Sequence, residues 1–215
     1  MRSLLKLILR PFVPRFIFDL LKKQSQKKQI KYWKETGSPL PPPNKVKQAI
    51  ISKYQKKYQS QLLIETGTFL GDMVEAQKYK FKKIISIELG LELFRAAQKK
   101  FIKDKNVLIV QGDSGKVLSD ILKNVNEPAI FWLDGHYSAG ETAKGDKDCP
   151  IFEELEAIFD SKAFNHIILI DDARCFNGQG DYPTIENLTA FIQSKNQNYR
   201  AEVENDIIRY TIGSN

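Results

Sequence analysis

From residue 45 onward, apolar and polar positions fall into alternating blocks. Short apolar runs occupy 62–68, 83–89, 107–113, 129–135 and 166–173. They are separated by segments in which apolar residues recur every three or four positions, at 71–80, 91–101, 115–125 and 151–159, with a further such segment at 184–194. Runs of four to eight apolar residues read as strands buried on both faces, and the 3.6-residue period reads as helix. Strand and helix in strict alternation predict an α/β domain, a doubly wound parallel sheet with helices on both faces. A helix over 46–58, with Val46, Ile50, Ile51, Tyr54 and Tyr58 on one side, precedes the first strand. The chain ends differently: 199–204 and 207–212 are strand-like and meet at Asn205-Asp206, a turn-forming pair, which predicts an antiparallel hairpin.

The first 44 residues do not follow this rhythm. Residues 3–21 (SLLKLILRPFVPRFIFDLL) mix large apolar side chains with Lys and Arg, and a Lys/Gln-rich run follows. The prolines of SPLPPP cannot continue a helix. The predicted organisation is therefore a basic amphipathic arm over 1–37, a proline-rich linker over 38–44 and a folded domain over 45–215. No stretch approaches the roughly 20 apolar residues of a membrane-spanning helix, and the interrupted apolar run lacks the form of a cleaved signal peptide.

Charge sharpens the division. Residues 1–60 carry fifteen Lys and Arg against Asp19 and Glu35, a balance of +13, whereas the other 155 residues carry −6, together the chain's +7. A basic arm beside a mildly acidic body argues against nucleic acid as the partner of the body. Two readings of the arm stay open. In one, residues 1–34 lie on an anionic membrane surface, with apolar groups in the acyl boundary and cations at the headgroups. In the other, the segment packs on protein, including a second copy in a homodimer. The two cysteines, Cys149 and Cys175, have no zinc-ligand spacing and point to a reducing compartment. The expected location is cytoplasmic, with the inner face of a membrane as the site of any peripheral attachment.

In doubly wound sheets a ligand sits beyond the carboxyl ends of the strands. The first end reads Glu65-Thr66-Gly67-Thr68-Phe69-Leu70-Gly71, with Gly67 allowing a tight turn and Gly71 opening the next helix. It lacks G-x-G-x-x-G, which counts against a dinucleotide pyrophosphate. The second ends at Glu88, placed to accept from a ribose diol, and the third at Gly112-Asp113-Ser114, where Asp113 could meet an adenine amino group. E-T-G-T-x-x-G, an acid ending strand two and G-D-S after strand three resemble the cofactor motifs of class I S-adenosylmethionine-dependent methyltransferases. The resemblance spans roughly 45–213 and implies a seven-stranded sheet of order 3-2-1-4-5-7-6 with strand seven antiparallel. It also implies that Glu65, Gly67, Thr68 and Gly71 surround the methionine part, that Glu88 holds the ribose, that Asp113 and Ser114 face the adenine, and that Asp134 borders the cofactor. Thr68 departs from the pattern, standing where many members have a glycine.

The fourth and fifth ends carry Asp134 and the pair Asp171-Asp172. Three carboxylates at one sheet edge repel one another unless cations balance them. The pattern is similar to that of metal-dependent O-methyltransferases, which implies Mg²⁺ held by Asp134, Asp171 and Asp172. The alternative is that Asp134 caps a loop while the pair binds Arg174 or a lysine. Methylating a hydroxyl requires a base, for which His136 is the first candidate and Lys144 the second, both near or within the polar segment 137–149. His166, at the start of a strand, lies away from this edge. The expected function is methyl transfer from S-adenosylmethionine to a hydroxyl of a sugar, glycan or other small polar acceptor. The alternatives are an RNA or protein methyltransferase that uses the basic arm, and a non-catalytic binding module.

Overall fold

A computed structural model describes residues 15–135, 148–161 and 164–213. The chain divides into two units, Met1–Lys47 and Gln48–Asn215.

In the first unit, helix α1 (Arg15–Glu35) covers part of the expected arm. It stops where Gly37 and Ser38 adopt positive φ (86° and 57°) and the Ser38 N–H returns to the Trp33 carbonyl at 2.9 Å. A left-handed exit of this kind satisfies carbonyls that the last turn leaves open. The Trp33 indole N–H donates to the Pro39 carbonyl at 2.7 Å, fixing the proline-rich segment against its own helix. Among the described residues, no helix is long and apolar enough to cross a membrane. The unit boundary falls after Lys47, inside helix α2 (Asn44–Tyr58).

The second unit contains, in order, β1 (Leu62–Thr66), α3 (Asp72–Gln77), β2 (Lys83–Glu88), α4 (Leu91–Phe101), β3 (Val107–Gln111), α5 (Ser114–Leu122), β4 (Ala129–Leu133), α6 (Ile151–Asp160), β5 (Ile167–Ile170), α7 (Ile185–Lys195), β6 (Tyr199–Glu204) and β7 (Ile207–Ile212). The seven strands form one sheet of order β3-β2-β1-β4-β5-β7-β6. β1 to β5 are mutually parallel, and β7 runs antiparallel to both β5 and β6. This is the order implied by the family resemblance.

Side chains of a strand alternate between faces, and both faces of the central strands are closed. Leu62, Ile64, Ile85, Ile87, Phe131, Leu133, Ile168 and Ile170 share one core with Leu118 and Leu122 of α5, Leu155 and Ile158 of α6, and Leu188 and Ile192 of α7. The alternate positions Leu63, Ile84, Ile130 and Leu169 are fully buried on the other face. There α2 is stitched to α3: the Gln48 side-chain amide donates to the Asp72 carbonyl (3.0 Å), and that of Gln77 donates to the Gln48 carbonyl (2.8 Å).

The parallel strands end one to three residues earlier than the apolar pattern predicts. The ladder stops where Gly67 (φ 83°), Gly112 (φ 149°) and Asp172 (φ 54°) turn the backbone away. The residues read as strand ends are thus the start of the turns beyond the sheet. Helix α3 is likewise shorter than expected, its last predicted turn being three non-helical turn residues.

Candidate functional site

The carboxyl ends of β1 and β2 are locked together by backbone. The N–H groups of Gly67 and Thr68 both donate to the Ile87 carbonyl, at 2.9 and 3.2 Å, and the Gly71 N–H closes the turn on the Thr68 carbonyl at 2.8 Å. A Cβ on Gly67 would stand 2.4 Å from the Asp134 carbonyl oxygen, so only glycine lets the β1 turn pass this close to the end of β4. At Gly71, a Cβ would meet the Phe101 ring at 2.6 Å, which draws α4 against the turn.

Thr68 stands where the related motif often has glycine, and the structure gives it work of its own. Its hydroxyl lies 2.6 Å from that of Ser86, which donates to Glu65 at 2.5 Å, and all three side chains are buried. Burial pushes the Glu65 carboxyl up to about 8; the Ser86 hydrogen bond opposes this shift and the neighbouring Glu88 charge adds to it. Glu88 ends β2 with its two carboxylate oxygens separately held, one by the Phe69 N–H (2.7 Å) and one by the Gly90 N–H (2.8 Å). A carboxylate oxygen accepts more than one hydrogen bond, so each keeps capacity for a hydroxyl.

Asp113 and Ser114, expected at an adenine, have partners in the fold. Asp113 caps α5, accepting from the Gly115 N–H at 3.1 Å, and its other oxygen lies 3.6 Å from the Lys116 ammonium. Ser114 donates to Glu154 of α6 at 2.6 Å. A Cβ on Gly135 would find Glu154 Oε1, Thr66 Oγ1 and Ser114 Oγ at 3.0 to 3.1 Å, so these three oxygens form a collar around the chain as it leaves β4. Sequence reasoning missed Glu154. The signal was its place three residues after Ile151 and four before Ile158, both buried, which puts it on the inward face of α6.

At the β4 and β5 ends, the Asp134 N–H reaches the Thr66 carbonyl and hydroxyl (3.2 and 3.1 Å), and the Asp171 N–H reaches the Leu133 carbonyl (3.0 Å). These bonds bring Asp134 and Asp171 to one edge. Asp171 Oδ1 accepts from the Asp172 N–H at 2.9 Å, and Asp172, in left-handed conformation, accepts from the Arg174 guanidinium at 2.8 Å. Arg174 also pairs with the buried Asp206 in the turn between β6 and β7, donating to it from both side chain and backbone. Among the described residues, no three His, Cys, Asp or Glu side chains are grouped so as to hold a metal ion. Asp172 is turned onto Arg174, so Asp134, Asp171 and Asp172, expected to hold a metal, are not gathered as one set among the described residues.

The candidate bases His136 and Lys144 lie outside the described residues. His166 is at the opposite edge: buried, with Nδ1 accepting from the Ala129 N–H at 3.1 Å, and lowered by burial to about 4. Cys149 is buried and its thiol is pushed up to about 12 by desolvation, which leaves it inert as a nucleophile at neutral pH.

A sheet of this order, with acids ending β1 and β2 around a glycine turn, defines the class I S-adenosylmethionine-dependent methyltransferase fold. Solved structures agree. An O-methyltransferase from Bacillus cereus in complex with S-adenosylhomocysteine is 10% identical with a TM-score of 0.58, over 97% of this chain and 96% of that one. TomG, an O-methyltransferase of Streptomyces achromogenes involved in tomaymycin synthesis and solved with S-adenosylmethionine, is 12% identical with a TM-score of 0.57, over 87% and 89%. An S-adenosylhomocysteine-bound methyltransferase of Podospora anserina is 13% identical with a TM-score of 0.56, over 94% and 99%. No protein-family model matches the sequence, and no curated protein matches it either.

Proposed function

We propose that the chain is an S-adenosylmethionine-dependent methyltransferase acting on a hydroxyl of a sugar or other small polar acceptor. The observation that carries this reading is Glu88, a buried carboxylate at the end of β2 whose two oxygens are each fixed by one backbone N–H and can each accept a further hydrogen bond, as from a ribose hydroxyl. Glu65 supports it. A carboxyl raised to about 8 by burial, beside the like charge of Glu88, is complemented by the ammonium of a methionine moiety.

The cofactor, when bound, supplies an electrophilic methyl group on sulfur. Glu88 would orient the ribose, the Gly67 turn would admit the backbone-close part of the ligand, and the Asp134–Gly135 segment would border the transfer path. Orientation of acceptor oxygen against the methyl carbon is then the main source of rate. The acceptor's proton requires a base, and His136, with Lys144 as second candidate, is proposed for that role. No step is assigned to a divalent ion.

The reading is tested by calorimetric titration of the full chain with S-adenosylmethionine. Micromolar binding is expected, lost in Glu88→Ala, whose thermal midpoint also falls because the Phe69 and Gly90 N–H groups lose their acceptor. Absence of binding by the wild-type chain would overturn it and leave a non-catalytic module with this fold.

A further inference from the structure

The end of β5 gathers Asp171 and Asp172, and the hairpin turn brings Asp206 to the same place. Acids packed this closely need a counter-charge. The chain supplies one. A single terminal nitrogen of Arg174 bonds both Asp172 Oδ1 and Asp206 Oδ2, while the Arg174 backbone N–H holds Asp206 Oδ1 at 2.9 Å. Asp206 is fully buried and has both oxygens engaged by this one residue; Asp172 is 15% exposed and Arg174 37%. The Ala173 N–H donates to the Asp206 carbonyl at 2.9 Å, so three successive bonds fasten the segment after β5 to the turn after β6.

Two features show that this arrangement is built. Asp172 accepts the left-handed conformation (φ 54°, ψ 48°), which costs a non-glycine residue on the order of 1 kcal/mol and places its carboxylate beside the guanidinium. In the turn, Asn205 and Asp206 also take positive φ (53° and 62°), aiming Asp206 inward. A divalent ion drawing on Asp172 Oδ1 would compete with the guanidinium for that oxygen.

We propose that Arg174 is the resident cation of this edge, a positioning residue that occupies the seat between Asp172 and Asp206 and ties the terminal hairpin to the segment after β5. An arginine keeps its charge at every working pH, so the edge holds its shape without a metal supply. This occupancy is separable from methyl transfer: it concerns which cation sits there, whatever the acceptor.

The test is a MnCl₂ titration of the full chain, with free Mn²⁺ read by electron paramagnetic resonance and unfolding followed in parallel. The wild type is expected to take up no stoichiometric Mn²⁺ below about 1 mM, the weak end of oxygen-ligand sites, and to keep its thermal midpoint in chelator. Arg174→Ala is expected to melt lower and to gain saturable Mn²⁺ binding that restores part of the midpoint, an effect abolished by adding Asp172→Asn. Arg174→Lys, which keeps a cation, should melt between the two and bind no Mn²⁺. Stoichiometric Mn²⁺ binding by the wild type that Asp172→Asn removes would overturn the proposal. So would a folded Arg174→Ala that binds none. If Arg174→Ala does not fold, the wild-type titration and Arg174→Lys decide.

Discussion

Ser114 and Glu154, forty residues apart, are joined by a 2.6 Å hydrogen bond between buried side chains. The bond ties the turn after β3 to the first turn of α6, and the two oxygens close around Gly135 at the exit of β4. Two strand ends and a helix that sequence places far apart are therefore one mechanical unit.

Ser114→Ala takes a donor from a buried carboxylate. The expected cost is about 1 to 3 kcal/mol, read as a lower denaturant midpoint at constant slope, with S-adenosylmethionine affinity falling alongside. Glu154→Gln keeps the shape and an acceptor oxygen, so it should cost less. If both variants matched the wild type in stability, the collar would have no mechanical role.

Gly67→Ala faces two obstacles at once: a positive φ of 83° and a Cβ placed 2.4 Å from the Asp134 carbonyl. Backbone must move, because the obstructing atom is backbone. A loss of about 2 kcal/mol or more is expected, with cofactor binding abolished. Gly180→Ala, at φ 60° with no atom within 4 Å of the new Cβ, controls for backbone strain alone and should cost about 1 kcal/mol. Equal losses at the two positions would count against close approach as the reason for Gly67.

The fold was legible because each parallel strand is a block of apolar residues bounded by helices of the right period. Glu65, Gly67 and Glu88 were legible because they end such blocks. The pairing of Asp172 with Arg174 was foreseen only as an alternative, since sequence spacing cannot say which counter-charge an acid finds. Asp206 was illegible for a related reason, since an Asn-Asp turn looks solvated until the tertiary fold buries one member, and Glu154 was marked only by its helical spacing from Ile151 and Ile158. Ser86 was hidden inside an apolar strand, and nothing local marks it as Glu65's partner.

His166 should make stability pH-dependent on the acid side. Its folded value is about 4 and its ordinary value 6.5. The unfolded chain therefore binds more protons between these limits, and stability is full above pH 6.5 and falls as pH drops toward 4. The shift corresponds to about 3 kcal/mol. Denaturant unfolding of wild type and His166→Gln across pH 4 to 7.5 checks this: the wild type should lose stability on acidification more steeply than the variant. Parallel curves would show that His166 titrates normally.

For the arm, we propose attachment to anionic membranes through residues 1–34, where each basic residue near the surface contributes about 1 kcal/mol. The full chain should float with vesicles of anionic lipid at low salt, and a chain lacking 1–34 should not. Flotation of the shortened chain to the same extent would refute the arm's role.

Glu65 links fold stability to cofactor. Its carboxyl is raised from 4.5 to about 8 by burial, so the folded state holds a proton that the unfolded chain releases. The stability this contributes is complete below pH 4.5 and is lost as pH rises through 8, by the linkage sign for a raised group. Glu65→Gln, a neutral shape mimic, should flatten that alkaline decline. An ammonium arriving beside Glu65 favours the carboxylate, so binding S-adenosylmethionine near pH 7 should expel a proton. Calorimetry in two buffers of different ionisation enthalpy would show a larger buffer-dependent difference in heat for the wild type than for Glu65→Gln. Because the ligand's own amine titrates identically in both titrations, the difference between them isolates Glu65, and no difference would mean that the methionine part binds elsewhere.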